Sequence, residues 1–237
     1  MNSVVERQRL ENIAAQSLYG AGLNRHSILH SFEIMKRYIQ PGPILELGPA
    51  EGHMTDLLVE CGQPLTCVDG GKPFCDSLAG RHPQVEVVHS LFEEFQPTGQ
   101  FNTIILGHVL EHVEAPVEIL RRARGWLAPG GRVIAGVPNA RSLHRQAAVI
   151  MGLLPFEEEL NEADRHHGHR RVYNPETFRR DFRDAGFEIE VFGGYWLKPL
   201  SNSQLESSHS DEMIRAFMKL GERYPDIAGE IYIVATQ

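Results

Sequence analysis

The chain has 237 residues, a formal net charge of −8 and 42% hydrophobic residues, which is typical of a globular domain with a sizeable core. Lys and Arg form no block longer than a pair, which argues against a surface that tracks nucleic acid. The three cysteines are odd in number and show no Cys-x-x-Cys spacing of the kind that binds zinc. We therefore expect reduced thiols in the cytoplasm. We expect no signal peptide, because the N-terminal stretch lacks an apolar core of signal-peptide length, and no membrane span, because no apolar run reaches about 18 residues.

The first two thirds of the chain alternate between strand-like and helix-like segments. Two helices are predicted first, at residues 4–18 and 26–39. The predicted strands are Ile44–Leu47, Leu65–Val68, Val85–Val88, Phe101–Leu106 and Arg132–Val137, and the helices between them are Gly52–Glu60, Lys72–Gly80 and Ala115–Trp126. Such alternation predicts an α/β fold, a doubly wound parallel sheet with helices on both faces.

The pattern changes after Val137. The predicted elements there are helix Leu143–Leu153, an aperiodic His-rich stretch, helix Pro175–Ala185, strand Phe187–Phe192, a loop around Trp196 and Lys198, a helix near Asp211–Glu222 and strand Glu230–Ala235. We predict a single domain over residues 1–237. Residues 1–40 form a helical arm or lid, and residues 139–172 form an insertion on the substrate side.

A glycine loop follows the first predicted strand, in the stretch Ile44-Leu-Glu-Leu-Gly-Pro-Ala-Glu-Gly-His53. Gly48 and Gly52 let the backbone turn sharply and approach a ligand at the carboxyl end of the strand. Their spacing differs from the Gly-x-Gly-x-x-Gly of dinucleotide sites, and Glu46 and Glu51 place negative charge where a pyrophosphate would lie. A cationic ligand such as S-adenosylmethionine tolerates those carboxylates.

Asp69 ends the second predicted strand, at the distance from the glycine loop where an acidic residue accepts hydrogen bonds from ribose hydroxyls. The alternative is a strand-end turn with Gly70 and Gly71.

In combination and in this order, four motifs resemble those of class I S-adenosylmethionine-dependent methyltransferases. They are Glu46–Gly52, Asp69, the Leu-Glu-His-Val stretch at residues 110–113 and Leu127–Gly131. The chain is most similar to small-molecule methyltransferases, including the ubiquinone-pathway O-methyltransferases. The resemblance implies a Rossmann-like seven-stranded sheet with an antiparallel C-terminal hairpin. It covers roughly residues 40–190 and implies S-adenosylmethionine as cofactor.

The resemblance also implies a set of cofactor-binding residues. Residues after the third strand would cradle the adenine, although His89-Ser90 stands where many relatives carry an aspartate. The implied set is Glu46, Gly48, Pro49, Gly52, His53, Asp69, Gly70, Ser90, Leu91, Phe92, Gly107 and His108.

His108, Glu111 and His112 form a His-x-x-Glu-His motif, which alone is typical of an inverted zinc peptidase. The preceding cofactor motifs make that interpretation unattractive. In ubiquinone-type enzymes the equivalent stretch reads Glu-x-x-Glu-His and binds a divalent cation, so these three residues are candidate metal ligands. The interpretation we favour needs no metal: His112 or His108 accepts a proton from the acceptor near neutral pH.

The substrate pocket is expected to draw on the arm and the insertion. The candidates are Tyr19, Arg25, Asn139, His144, His169 and Tyr173. The tract His166-His167-Gly168-His169 is a metal-binding or a charge-paired loop, and His169 and Arg170 have Asp164 or Glu162 as partners in a structural role.

These patterns predict a cytoplasmic methyltransferase that acts on an oxygen or nitrogen of a small molecule, with no nucleic-acid or membrane partner. Two alternatives are an aminopropyl-transferring relative and a nicotinamide dehydrogenase. The first is disfavoured because strand four ends in Gly107-His108 without a dense acidic cluster, and the second by the loop spacing.

Overall fold

The computed structural model describes residues 3–16 and 22–237, in which seven strands form one sheet of order β3-β2-β1-β4-β5-β7-β6. The strands are β1 (Ile44–Leu47), β2 (Leu65–Asp69), β3 (Glu86–His89), β4 (Phe101–Gly107), β5 (Leu127–Pro138), β6 (Glu188–Tyr195) and β7 (Glu230–Thr236). Strands β1 to β5 pair in parallel, and β7 runs antiparallel between β5 and β6. The predicted doubly wound, seven-stranded fold with an antiparallel C-terminal pair is confirmed.

Ten α-helices and a short 3₁₀ helix (Pro225–Ile227) accompany the sheet within the described ranges. The α-helices are α1 (Ser3–Gln16), α2 (Leu23–Met35), α3 (His53–Val59), α4 (Lys72–Arg81), α5 (Pro116–Trp126), α6 (Leu143–Ile150), α7 (Glu162–His166), α8 (Pro175–Asp184), α9 (Asn202–Ser208) and α10 (Asp211–Gly221). In the same ranges, no helix combines the length and the apolar character that a membrane crossing requires.

Two helices, α7 and α9, lie where the sequence predicts only irregular chain. Both are short, and both begin with a capping box, Asn161 with Asp164 in α7 and Ser201 with Gln204 in α9. A capping box satisfies two backbone N–H groups that a short helix leaves without intrahelical partners. These pairs were readable signals, but the helices carry no apolar period to support them.

The fifth strand also differs from its prediction, because it begins at Leu127 and not at Arg132. Leu127 already pairs with Phe101, and the register then shifts before Thr103 pairs with Arg132. Residues 128–131, which precede the predicted strand, are therefore an irregularity within the observed one, with Gly130 in the left-handed region at φ 75°.

Side chains alternate between the two faces of the sheet and build a core on each. Leu45 and Leu47 pack on the face covered by α5 and α8, together with the fully buried Phe178. Ile44 packs on the opposite face, which is covered by α2, α3, α4 and α10. Truncation of a buried phenylalanine such as Phe178 to alanine typically costs about 3–5 kcal/mol. This rigid sheet fixes the loops that follow its strands.

The strand order reverses at β1, which pairs with β2 on one side and with β4 on the other. In open α/β sheets, the crevice beyond the carboxyl ends of the strands at such a switch point is the usual ligand site. The loops after β1, β2 and β4 meet there.

Candidate active site

A cavity of about 670 Å³ opens at this switch point. It is lined by the loops after β1, β2, β3, β4 and β5, by α1 and α2, and by residues of the insertion. A cavity of this size, with apolar walls and a few convergent polar groups, is suited to a nucleotide cofactor together with a small second ligand.

The glycine loop forms one wall of the cavity. Gly48 has φ 69°, and a Cβ at this position would lie 2.8 Å from Val109 Cγ2, so the backbone there is open to a ligand only because it lacks a side chain. Ala50 also adopts a left-handed conformation, at φ 47°. Pro49 and His53 line the cavity as expected.

Gly52 has a different position from the one that its cofactor-binding assignment implies. It does not line the cavity; it is the N-cap of α3, with φ 78°. A side chain there would meet Leu78 and Arg81. The helix start and the close packing therefore each favour a glycine at this position.

Asp69 lies at the end of β2 and lines the cavity beside Gly70. Its Oδ1 accepts a hydrogen bond from the Gly71 N–H at 2.7 Å, and its Oδ2 accepts one from the Ala50 N–H at 3.3 Å. The predicted turn is present, and each carboxylate oxygen keeps a further lone pair that a ligand hydroxyl can use. Burial raises the pKa of Asp69 to about 6, so hydroxyl donors from a ligand would stabilise its charged form.

Glu46 lies beneath the glycine loop, where Oε2 accepts hydrogen bonds from Thr55 Oγ1 at 2.6 Å and from Cys67 Sγ at 3.4 Å. Burial raises the pKa of Glu46 to about 7. A buried carboxylate that borders the cavity favours a cationic ligand, since a nearby positive charge would restore its ionised form.

The predicted adenine residues separate into two groups. Leu91 and Phe92 line the cavity, whereas Ser90 does not; its hydroxyl donates to the Leu91 carbonyl at 2.9 Å. Phe95, four residues further along the chain than Leu91, belongs to the core and packs edge-on against Trp126, with ring centroids 5.2 Å apart.

His108 directly follows β4 and has a left-handed backbone at φ 57°. A non-glycine residue in this region is uncommon, and such strain concentrates at functional sites. Its Nδ1 lies 3.2 Å from Glu111 Oε1, and its Nε2 lies 3.6 Å from Glu230 Oε2. Burial opposes its charge, but Glu230 and Glu111 raise the pKa of His108 to about 9, so its imidazole is protonated at pH 7.

His112 is the neutral counterpart of His108 in the same cavity wall. Burial lowers its pKa to about 4, and the attraction of Glu111 does not compensate. Burial alone would raise the pKa of Glu111, but His108 holds it at about 2, so this buried carboxylate is ionised. Of the two predicted catalytic histidines, only His112 is in the protonation state that a base requires at neutral pH.

The structure groups a different set of candidate metal ligands from the one that the sequence predicts, with His169 in place of His108. The ligand atoms of Glu111, His112 and His169 lie within 4.8 Å of one another, whereas His108 pairs with the two carboxylates. Two imidazoles and one carboxylate suit a divalent transition metal. In the described part of the chain, Glu111 Oε2 has no hydrogen-bond partner and Oε1 has only the contact with His108, so the carboxylate can still donate to an ion.

The predicted substrate residues are only partly brought together. Asn139, His144 and His169 line the cavity, and His169 Nδ1 also lies 3.4 Å from Asp164 Oδ1, one of its two predicted partners. Arg25 is exposed outside the cavity. The Tyr173 hydroxyl is buried on Asp181 at 3.0 Å, also away from the cavity. Tyr19 lies outside the described residues.

Helix α1 is fastened over the cavity by an ion-pair cluster, which we call the Glu6 clasp. The buried Glu6 carboxylate pairs with Arg9 at 2.6 Å and with Arg170 of the insertion at 2.8 Å. Arg170 and Arg9 also donate to the His112 carbonyl, at 2.9 and 3.3 Å. The clasp brings Leu10 of α1 to the cavity wall.

Sequence reasoning missed several residues of this cavity: Glu6, Arg9, Leu10, Ile13, Lys198 and Glu230. They come from the chain ends and from a loop far along the sequence, so no local motif marks them. The one available signal was Glu230, an acidic residue that begins an otherwise apolar strand.

Comparisons with known proteins agree with this geometry. A family model described as a methyltransferase domain matches residues 23–190. The chain is 25% identical over 198 residues to a ubiquinone biosynthesis O-methyltransferase of Paramagnetospirillum magneticum, covering 81% of this chain and 78% of that protein. It is also 25% identical over 177 residues to one of Xanthomonas euvesicatoria, covering 71% and 72%.

Solved structures share the fold. A methyltransferase of Archaeoglobus fulgidus has a TM-score of 0.60 and 18% identity, with 90% of this chain and 94% of that one covered. A glycopeptide N-methyltransferase solved with S-adenosylmethionine has a TM-score of 0.58 and 14% identity, covering 87% and 86%. With the family model spanning most of the chain, this protein belongs to the methyltransferase domain family and is a class I S-adenosylmethionine-dependent methyltransferase.

Proposed function

We propose that the enzyme methylates an oxygen or nitrogen of a small molecule bound beside the cofactor in the cavity at the switch point. The observation that carries this proposal is the layout of one continuous cavity. Asp69 and the Gly48 loop form one wall, and His108 and His112 form another. The volume of about 670 Å³ leaves room for a small acceptor beside the cofactor.

The proposed cofactor-binding residues contribute in different ways, some through charge and some through shape. Asp69 accepts hydrogen bonds from the ribose hydroxyls, and Leu91 and Phe92 contact the adenine. Gly48 keeps the loop backbone close to the ligand, and Glu46 supplies negative charge beneath it. When bound, S-adenosylmethionine supplies an activated methyl group, so the protein's task is mainly to align the acceptor. Such alignment can contribute several kcal/mol to catalysis.

His112 is the proposed base for an acceptor that must lose a proton. Its neutral imidazole takes the proton on a ring nitrogen, and the ionised Glu111 beside it stabilises the resulting charge. His108 is already protonated between Glu111 and Glu230, and it orients the methyl acceptor by charge and hydrogen bonding.

A divalent ion is the second candidate at the same place. Glu111, His112 and His169 would hold it, and it would supply Lewis-acid polarisation of an acceptor oxygen. We keep the metal-free base as the main proposal, because the cluster offers three ligands and the neighbouring His108 is occupied by carboxylates. The proposed location remains the cytoplasm, as the free cysteines suggest.

A label-transfer experiment tests the acceptor class. The enzyme is incubated with methyl-labelled S-adenosylmethionine and a bacterial extract separated into small-molecule, protein and nucleic-acid fractions. We expect label in the small-molecule fraction only. Label that accumulates in protein or nucleic acid would contradict the proposal.

A further inference from the structure

Lys198 lines the cavity from the loop after β6, whose backbone is held by several hydrogen bonds. Trp196, two residues earlier, has φ 65°, a conformation that is a genuine outlier for an aromatic residue. Its N–H donates to Met218 O at 2.9 Å, and its carbonyl accepts from Gly229 N at 2.6 Å. Lys198 O accepts from His144 N at 3.2 Å. Strain of this kind persists only where the surroundings over-determine it.

Lys198 is half-buried in the cavity wall, and its ammonium group has no ion-pair partner in the described part of the chain. Its Nζ lies 4.5 Å from the centre of the Trp196 ring, a cation–π contact that satisfies none of its three N–H donors conventionally. Burial lowers the pKa of Lys198 to about 8, although Glu230 opposes the shift from a longer distance. The side chain therefore still carries its charge at pH 7.

The other charged groups that face this position are already engaged. Glu230 Oε2 lies 3.6 Å from the protonated His108, and Arg145 pairs with Asp164 at 3.0 Å. His144 is kept neutral, since burial lowers its pKa to about 3. Lys198 is thus the charge of this wall that lacks a direct counter-ion.

We propose that Lys198 binds an oxyanion of the methyl acceptor, so that the natural acceptor is an acidic small molecule bearing a carboxylate or a phosphate monoester. A half-buried ammonium without a direct counter-ion attracts an anion into the cavity, and an oxyanion gives it charge-assisted hydrogen bonds that a neutral group cannot match. The acid group lies at Lys198 and the reacting atom lies towards His108 and His112, because all three line one cavity. This inference rests on the proposed function and adds the substrate class.

Binding of matched probes to the enzyme saturated with S-adenosylhomocysteine tests the assignment. The probes are benzoate, phenyl phosphate and the neutral benzamide, measured by calorimetry. We expect at least one anion to bind about tenfold more tightly than benzamide. Stronger binding of benzoate than of phenyl phosphate identifies a carboxylate, and the reverse order identifies a phosphate.

Three variants locate the effect. Lys198→Met should abolish the preference for the anion, whereas Lys198→Arg, which keeps the charge, should retain most of it. The control is Lys219→Met, at an exposed position on α10 outside the cavity, which should behave like the wild type. If Lys198→Met fails to fold, Lys198→Gln and the wild-type comparison of anion with amide decide the question.

Two results overturn the inference: no preference for either anion in the wild type, or a preference that persists without the Lys198 charge. Binding of S-adenosylhomocysteine is measured first in each protein. A wild type that does not bind S-adenosylhomocysteine would contradict the proposed function. Normal cofactor binding without anion preference is a failure of this inference alone.

Discussion

The imidazole of His169 packs edge-on against that of His112, with ring centroids 4.7 Å apart. This contact joins the insertion to the loop after β4. A carboxylate oxygen of Glu111 and one ring nitrogen of each histidine lie within 4.8 Å of one another. The same three side chains can therefore serve as a proton acceptor with its neighbours or as a metal-ligand set. Two measurements separate these roles.

The first prediction concerns His112. If it acts as the base, a metal chelator should leave turnover unchanged, and His112→Ala should lower kcat by ~10²–10⁴, the usual contribution of a positioned acid or base. His26→Ala is the control, at a histidine that contacts Asp211 outside the cavity. Loss of activity with chelator, recovery with a divalent ion and loss of bound metal in His169→Ala would instead establish the metal site.

The second prediction concerns His108 and pH. Its folded-state pKa of about 9 lies above the ordinary value of 6.5. The stability that it contributes is therefore fully present below pH 6.5 and is lost as the pH rises through about 9. His108→Asn suits the left-handed backbone and removes the titration.

Urea unfolding at pH 6.5 and pH 9.5 measures this effect. The wild type should lose more free energy of unfolding between the two pH values than His108→Asn does. Lys198 titrates in the same range in both proteins, so the comparison isolates His108. The exposed His166→Asn should match the wild type. Equal losses in wild type and His108→Asn would refute the predicted role of the two carboxylates.

The third prediction concerns the Glu6 clasp. Glu6→Ala leaves Arg9 and Arg170 without their shared carboxylate, so α1 should open more often over the cavity. We expect faster amide hydrogen exchange in residues 5–14 and an affinity for S-adenosylhomocysteine reduced by about three- to tenfold.

Arg7→Ala is the matched control for the clasp, because Arg7 lies on the same helix and forms a largely exposed ion pair with Glu94. Exposed pairs contribute typically less than ~1 kcal/mol, so this variant should change neither measurement much. Equal effects of Glu6→Ala and Arg7→Ala would show that α1 is held by its apolar contacts and not by the clasp.

The sheet was predictable from the sequence because its signals are local. β1 coincides with its prediction at Ile44–Leu47, since a short apolar run bounded by Pro43 and Gly48 leaves few alternatives. The positions of the glycine loop and of Asp69 beside the cavity were also predictable, because each lies at the carboxyl end of a predicted strand. Helix α9 was missed, because only one of its seven residues, Leu205, is apolar and a single apolar residue forms no period.

The acceptor side of the site was less predictable, because it is assembled from distant parts of the chain. Lys198 reaches the cavity from the loop after β6, Glu230 from β7 and Glu6 from α1, and only the folded chain brings them together. Gly52 shows a second reason for its glycine that the motif alone did not reveal. Its place in the motif suggested ligand contact, but a backbone with φ 78° and close side chains explains the glycine without a ligand.

The most direct test of the account is calorimetric titration of S-adenosylhomocysteine into the wild type and into Asp69→Ala. Asp69 is the proposed acceptor for the ribose hydroxyls, and loss of charge-assisted hydrogen bonds of this kind costs roughly 1.5–3 kcal/mol. The account predicts binding to the wild type, an affinity about ten- to a hundredfold lower in the variant with its fold intact, and no binding of NAD. An unchanged affinity in Asp69→Ala, or a wild type that binds NAD and not S-adenosylhomocysteine, would contradict it.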